Sequence, residues 1–240
     1  MTTINQEEIQ KFSKLADEWW DVNGKFKPLH MFNPIRIDYI LNTVKKHFDK
    51  SDAMAPLKGL KFLDIGCGGG LISEPMSRLG ANVTGIDASE KNIKIAEAHA
   101  KKNNLNIQYL NKSPEELNNT NKFDVILNLE IVEHVEDVNL YFESCVGLLK
   151  KNGLMFTATI NRTFSSYIKA IIGAEYVLRW LPIGTHDWNK FLKPKEIENK
   201  ITKLNLSIKD VKGLVFNPLS RKWKTSNDVS VNYVVVATKS

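Results

Sequence analysis

The sequence predicts a doubly wound α/β domain with a mostly parallel, seven-stranded sheet and a helical addition at its N-terminus. Three observations carry that expectation. From residue 61 onward, short apolar runs alternate with helical segments, the pattern of βαβ units and a parallel sheet. A glycine-rich turn, Gly66-Cys67-Gly68-Gly69-Gly70, follows the first run and leads into a helix. Asp87 ends the second run, at the distance from the turn where an acid meets the ribose of a nucleoside cofactor.

Taken in chain order, Ile9, Phe12, Ala16 and Trp19 recur at helical spacing and predict an opening amphipathic helix. Asn23-Gly24 marks a turn, and Pro34 is placed to open a second helix ending near Phe48. The stretch 51–59, with its proline and glycine, is the expected boundary between a helical cap, residues 1–55, and a main domain, residues 56–240. Strand-like runs fall at Lys61–Ile65, Asn82–Ile86, Ile107–Leu110, Phe123–Leu127 and Leu154–Thr159, with helices expected at Leu71–Leu79, Ser89–Asn103 and Val138–Leu149. Past Thr159, residues 162–192 read as an insertion facing substrate or membrane, and a helix begins near Lys195. Two last runs, Leu206–Val215 and Val229–Thr238, flank a loop holding Asn217-Pro218 and predict an antiparallel hairpin at the sheet edge.

The composition fits one globular unit. A hydrophobic fraction of 42% and a charged fraction of 25% are ordinary, and a chain this long buries roughly 70% of its unfolded surface without staples. Cys67 and Cys145 are too few and too isolated for a disulfide framework or a zinc site, which fits a reducing compartment. Glu7 and Glu8, with no long apolar run around them, argue against a secretion signal and against an acid-poor transit peptide. No stretch reaches the roughly 18 to 20 charge-free apolar residues of a membrane span, so a cytoplasmic location is expected. The net charge of +6 is read either as a solvated surface or as attraction to nucleic acid or anionic lipid.

The glycine turn carries the sharpest chemical signal. Glycines there let the backbone turn tightly and approach a ligand. The dinucleotide fingerprint requires glycine at its sixth position, where Leu71 stands. The form present, Asp64 two residues before Gly66-Cys67-Gly68, resembles instead the cofactor loop of class I methyltransferases, whose ligand, S-adenosylmethionine, has no pyrophosphate. Gly66, Gly68 and Asp87 are then cofactor contacts, with Asp64 near the cationic sulfonium directly or through water.

In doubly wound sheets the ligand lies beyond the carboxyl ends of the strands. The segment leaving the fourth strand, Asn128-Leu129-Glu130-Ile131-Val132-Glu133-His134, is where a reacting group belongs. If helical, it sets Glu130, Glu133 and His134 at i, i+3 and i+4 on one face. Such a trio could hold a divalent cation, could hold a base beside a phenol, or could cluster because acids favour a helix N-terminus. Leu129 would wall the cofactor. Enzymes that methylate exocyclic amines of nucleic-acid bases usually carry Asn or Asp, two prolines and an aromatic here. This chain has none of those prolines.

Beyond these motifs, WWDVNGKFKPLHMFNPIRIDYI, LDIGCGGG, LEIVEHV, GAEYVLRWLPIGTHDWNKF and VNYVVVATKS all resemble the ubiquinone-biosynthesis O-methyltransferases, over nearly the whole chain. The resemblance implies two O-methylations, on a polyprenyl catechol and on demethylubiquinol, and no nucleic-acid partner. Gly66, Asp87 and Arg36 fall on its cofactor positions. Leu129 does too, where the family commonly has methionine. Glu130, Glu133 and His134 fall on the positions implied to bind a divalent metal, expected to be magnesium, with Glu130 and His134 as the catalytic pair. A membrane-borne polyprenyl tail implies an anionic membrane surface as partner, reached peripherally from the cytoplasmic side, and other proteins of the pathway as companions. Phe164, Ile168, Ile171 and Ile172, then Val177, Trp180 and Leu181, with Lys169 and Arg179, suit an interfacial segment or simply pack over the site. The basic charge leaves RNA methylation as a rival reading, and a cofactor-binding scaffold without turnover as another.

Overall fold

A computed structural model describes residues 2–51, 53–118, 120, 122–168, 187–217 and 222–240. Its centre is a sheet ordered β3-β2-β1-β4-β5-β8-β6-β7. β1 (Lys61–Ile65), β2 (Asn82–Asp87), β3 (Gln108–Asn111), β4 (Phe123–Leu129) and β5 (Leu149–Ile160) are parallel. β6 (Leu206–Asn217), β7 (Lys222–Ser226) and β8 (Asn232–Lys239) continue antiparallel. The strand order reverses between β1 and β4, so their carboxyl ends part and open a cleft.

Period-two alternation divides the strand residues between two cores. In β1, Phe62 joins one cluster with Val125 and Phe156, whereas Leu63 joins the other with Ile126 and Met155. The first cluster is covered by Phe32, Ile40 and Val44 of α2 (Lys27–His47) and Met76 of α3 (Ser73–Arg78). The second is covered by Tyr141 and Phe142 of α5 (Val138–Leu148) and by Ile197 and Ile201 of α6 (Pro194–Lys203). Each fully buried side chain of this kind contributes about 1.5–3 kcal/mol. α4 (Glu90–Lys102) begins at Ser89, whose hydroxyl accepts from Asn92 N, and packs Ile93 and Ala96 beside β3.

Three sequence expectations change. Among the described residues the sheet has eight strands, not seven. β6 and β8 do pair antiparallel, but β8 also pairs β5, and the edge is taken by β7, a Lys-Trp-Lys-Thr-Ser strand. Its polar composition, with Trp223 alone packing inward toward Phe32 and Phe216, hides it from an apolar-run reading, and its lysines suit an exposed edge. The first helix is shorter than expected: α1 spans Gln6–Ser13, and Ala16–Glu18 form a separate 3-10 turn. α2 starts before Pro34, which lies inside the helix, while Pro28 occupies its first turn. An internal proline removes one backbone hydrogen bond, and burial of Phe32, Asn33 and Arg36 around it offsets that loss.

Candidate active site

A cavity of about 240 Å³ lies at the carboxyl ends of β1, β2 and β4. Its floor is the glycine turn. Gly66 and Gly68 have φ of 69° and 53°, in the left-handed region that glycine enters without steric cost. Gly66 N and Cys67 N donate to Ile86 O at 2.8 and 3.0 Å, tying the turn to the end of β2. Asp87 tightens the same junction. Its carboxylate accepts from Gly68 N at 2.9 Å, Ser89 N at 2.8 Å and Asn92 Nδ2 at 3.2 Å. A carboxylate has roughly four acceptor positions, so one is left for a ribose hydroxyl. Burial pushes the Asp87 carboxyl above its ordinary range.

Asp64 is set deeper. It is buried, accepts Ser73 Oγ at 2.6 Å, and is pushed by burial up to about 6. It therefore fastens the start of α3 as well as lining the cavity. Arg36 reaches in from α2, buried, with Nη1 3.4 Å from Glu130 Oε1 and Nη2 bonded to Asn33 Oδ1. The guanidinium stands 4.5 Å from the Phe32 ring. Its Nε has no partner, a buried donor suited to a carboxylate such as the methionine end of the cofactor.

The segment leaving β4 is not an α-helix. β4 ends at Leu129, Glu130 turns the chain at φ 57°, and Val132–His134 form one 3-10 turn. The turn is held by Glu130 N donating to Ala158 O at 2.9 Å. All of Glu130, Glu133 and His134 line the cavity, but the expected metal trio is not gathered at one point. Among the described residues, no three His, Cys, Asp or Glu side chains converge as a metal site. Glu130 leans to Arg36, Glu133 is buried with Oε2 unpartnered, and His134 Nδ1 lies 2.9 Å from Glu8 Oε2. The hydrogen bond with His134 lowers the Glu8 carboxyl. Leu129 lines the cavity as expected.

Burial, and then the neighbouring Glu133, raise Glu130 from 4.5 to about 7. A carboxylate that holds its proton more tightly when folded stabilises the fold below its unfolded pKa, and that contribution is lost as pH rises through the folded value. Between about pH 4.5 and 7 the protein is thus expected to lose stability, up to about 3 kcal/mol from Glu130. Glu130→Gln, which has no proton to lose, should flatten the fall. Urea midpoints at pH 5 and pH 8 measure it, and superimposable wild-type and variant profiles would refute it.

The N-terminal segment roofs the cavity. Trp19 stacks on Phe26 at 3.8 Å, and its Nε1 donates to Asn92 Oδ1 at 2.9 Å. Trp20 stacks on His99 at 3.4 Å and donates to Gly69 O at 2.9 Å. The two tryptophans clamp the glycine turn from outside, a role the sequence did not reveal because helical spacing reads Trp19 as an ordinary core position. A Cβ on Gly68 would collide with the six-membered ring of Trp19. Gly68→Ala is therefore expected to displace Trp19, add about 1–2 kcal/mol of backbone strain, and weaken cofactor binding at least about tenfold. Calorimetric titration with S-adenosylmethionine, alongside tryptophan fluorescence, checks both effects.

Comparison with known proteins agrees with this fold. The family described as "Methyltransferase domain" matches residues 63–157, the stretch from β1 into β5. Magnesium protoporphyrin IX methyltransferase from Synechocystis PCC 6803, solved with bound SAM, superposes with a TM-score of 0.66 at 16% identity, covering 100% of both chains. The plantazolicin methyltransferase BpumL, solved with SAH, gives 0.66 at 19% identity, over 98% of this chain and 99% of that one. At such identities the likeness is one of fold. Sequence relatives are far nearer. The ubiquinone biosynthesis O-methyltransferase of Pelagibacter ubique is 59% identical over 240 residues, all of both chains. That of Bartonella tribocorum is 51% identical, over 100% of this chain and 98% of its own. With a cleft that suits an adenosyl sulfonium and full-length identity of this order, the chain belongs to the ubiquinone biosynthesis O-methyltransferase family, S-adenosylmethionine-dependent enzymes of the α/β methyltransferase fold.

Proposed function

We propose that this enzyme transfers the methyl group of S-adenosylmethionine to a phenolic hydroxyl of polyprenylated catechol and demethylubiquinol intermediates in ubiquinone biosynthesis. The observation that carries the reading is one cavity lined by two kinds of group. Gly66, Gly68, Asp87 and Arg36 suit a nucleoside and an amino-acid carboxylate. Glu130, which Arg36 meets at 3.4 Å, lies with Glu133, His134 and the apolar side chains of Ile9, Phe12 and Ile131 in the same lining, suited to a phenolic hydroxyl on an apolar ring.

In-line displacement at the sulfonium requires an oxygen that is ionised or nearly so. A phenol of pKa near 10 is only about 0.1% ionised at pH 7, a deficit of roughly 4 kcal/mol. His134 is the group suited to take that proton, a contribution of about 10²- to 10⁴-fold in rate. The divalent cation implied by the family, magnesium, fits the donors as a two-carboxylate site: Glu130 and Glu133 both line the cavity, and Glu133 Oε2 lacks a partner. Magnesium is commonly held by one or two carboxylates plus substrate oxygens. Bound there, it would lower the pKa of the catechol oxygens. The chain's own residues orient the reactants: Arg36 and Asp87 fix the cofactor's two ends, and Leu129 and Ile131 shape the wall between cofactor and ring.

A radiolabelled methyl-transfer assay on short-chain polyprenyl catechols, with and without chelator, tests the proposal. Turnover is expected. Its absence on every catechol refutes the function, and full turnover after exhaustive chelation refutes the cation.

A membrane-borne substrate further calls for peripheral contact at the cytoplasmic face. Phe164, Tyr167 and Ile168 are 77%, 42% and 44% exposed, unusual for large apolar side chains in one short stretch. The rest of the expected stripe, residues 169–186, lies outside the described residues. No helix among the described residues is long and apolar enough to cross a membrane. Flotation with anionic liposomes is expected to carry the protein and to fail for Phe164→Ser/Ile168→Ser. Equal flotation of the two proteins refutes the contact.

A further inference from the structure

His134 comes from the turn after β4, yet the side chain that bonds its ring comes from the opposite end of the chain. Glu8 Oε2 lies 2.9 Å from His134 Nδ1, across 126 residues of sequence. Resting on the O-methylation reading above, we propose that Glu8 is a positioning residue for methyl transfer: its carboxylate fixes the tautomer and the orientation of the His134 imidazole.

The argument is one of hydrogen-bond inventory. An ionised carboxylate only accepts, so the nitrogen facing it must carry the proton. A neutral imidazole has one N–H, which leaves Nε2 with the lone pair. Whether His134 receives a phenolic proton or ligates a cation, it acts through a nitrogen that bears no proton, and Glu8 selects which nitrogen that is. Lys11 and Lys190 stand 3.9 and 3.8 Å from the same carboxylate and favour its charged form. Phe12, one turn along α1, sets its ring edge-on to the imidazole at 5.2 Å and 84°, so the ring plane is fixed as well as its proton.

The segment carrying Glu8 is anchored on both sides of the histidine. Asn5 caps α1, accepting from Glu7 N and Glu8 N at 3.1 and 3.2 Å, and its Nδ2 donates to Glu136 Oε2 at 2.9 Å. Glu136 N donates to Thr3 O at 3.0 Å, and Thr3 N donates to Glu115 Oε1 at 2.7 Å. Residues 3–8 are thus tied directly to residue 136 and to the 3-10 turn Pro114–Glu116. These bonds give the Glu8 carboxylate a defined place, which a hydrogen bond that selects a tautomer requires. The N-terminal addition completes the active site instead of merely covering it.

The test reads the tautomer directly. In long-range ¹H–¹⁵N correlation spectra of the ¹⁵N-labelled protein, with His134 signals assigned through His134→Gln, the wild type should show the Nδ1–H form. Glu8→Ala and the length-matched Glu8→Met should lose it, and Glu8→Gln, whose amide oxygen still accepts, should keep it. In turnover, Ala and Met variants are expected to lose about 10- to 100-fold in kcat with KM for S-adenosylmethionine little changed, and Gln to restore most of the loss. The Nδ1–H form persisting in Glu8→Ala or Glu8→Met, or wild-type kcat in either, overturns the proposal. The spectroscopic arm needs no substrate. A protein that methylates no catechol but shows the tautomer dependence would refute the reaction and leave the Glu8–His134 pairing standing.

Discussion

Arg36→Met is expected to weaken S-adenosylmethionine binding by at least about 30-fold and to lower the melting temperature by about 4–20 °C. Both losses have one origin. Arg36 is the cation among three acids, the buried Asp64 and Glu133 and the half-buried Glu130, each of which supports its charge, while burial alone works against it. Removing one partner of a buried, hydrogen-bonded charge pair costs about 2–5 kcal/mol, largely from the charge left behind. Two kcal/mol is already a factor of about 30 in affinity, and a chain of this length loses about 2–4 °C per kcal/mol. Methionine fills the volume over Phe32 without supplying a donor, so packing is not the variable. Arg36→Lys should recover part of the stability and little of the affinity, because an ammonium cannot present the paired N–H groups that suit a carboxylate. Calorimetric titration and thermal melts measure the two effects separately. Cofactor affinity at the wild-type level in Arg36→Met would remove the residue from the cofactor site.

That coupling explains how much of the site the sequence made legible. Gly66, Gly68 and Asp87 are readable because their chemistry is local: a turn at positive φ needs glycine, and the acid that accepts from that turn ends the very next strand. Asp64 is only half readable. Its position before the turn is visible, but its bond to Ser73 and its burial follow from how α3 packs against β1. Arg36 and Glu8 are opaque to spacing altogether, since each meets its partner across a gap the sheet topology sets, from Arg36 to Glu130 and from Glu8 to His134. Arg36 was reachable through family resemblance. Glu8 was visible only as one of two acids near the N-terminus.

The fold shows the same division. The parallel strands β1, β2 and β4 announce themselves because their central residues are buried on both faces of the sheet and read as short apolar-rich runs. β7 does not, being an edge strand with one inward side chain, Trp223. The segment after β4 shows where periodicity misleads. Residues at i, i+3 and i+4 share a face only if the backbone is helical, and Glu130 at φ 57° breaks that condition at the first residue. A glutamate in that conformation is uncommon, and such positions concentrate at functional sites. The local strain is the feature that turns Glu130 toward Arg36 instead of onward into a helix.

His134→Ala is expected to cost about 10²- to 10⁴-fold in kcat on an ordinary catechol, and the loss should shrink as the catechol becomes more acidic. The first figure is the usual yield of a positioned proton acceptor. The second follows from what the acceptor supplies. On a phenol of pKa near 10 it recovers part of a deficit of roughly 4 kcal/mol at pH 7, whereas on a ring carrying electron-withdrawing groups, with pKa near 7, half the substrate is already ionised and little deficit remains. Plotting the wild-type to variant ratio of kcat against substrate pKa therefore separates proton transfer from every other role of the ring. If His134 only shaped the cavity or carried α1 through Glu8, the ratio would stay constant along the series, because neither packing nor anchoring depends on where the substrate's proton resides. A constant ratio removes the base from the mechanism; a ratio that falls toward about one fixes it there, and with it the reason a histidine is held beneath the N-terminal helix, its Nδ1 against Glu8.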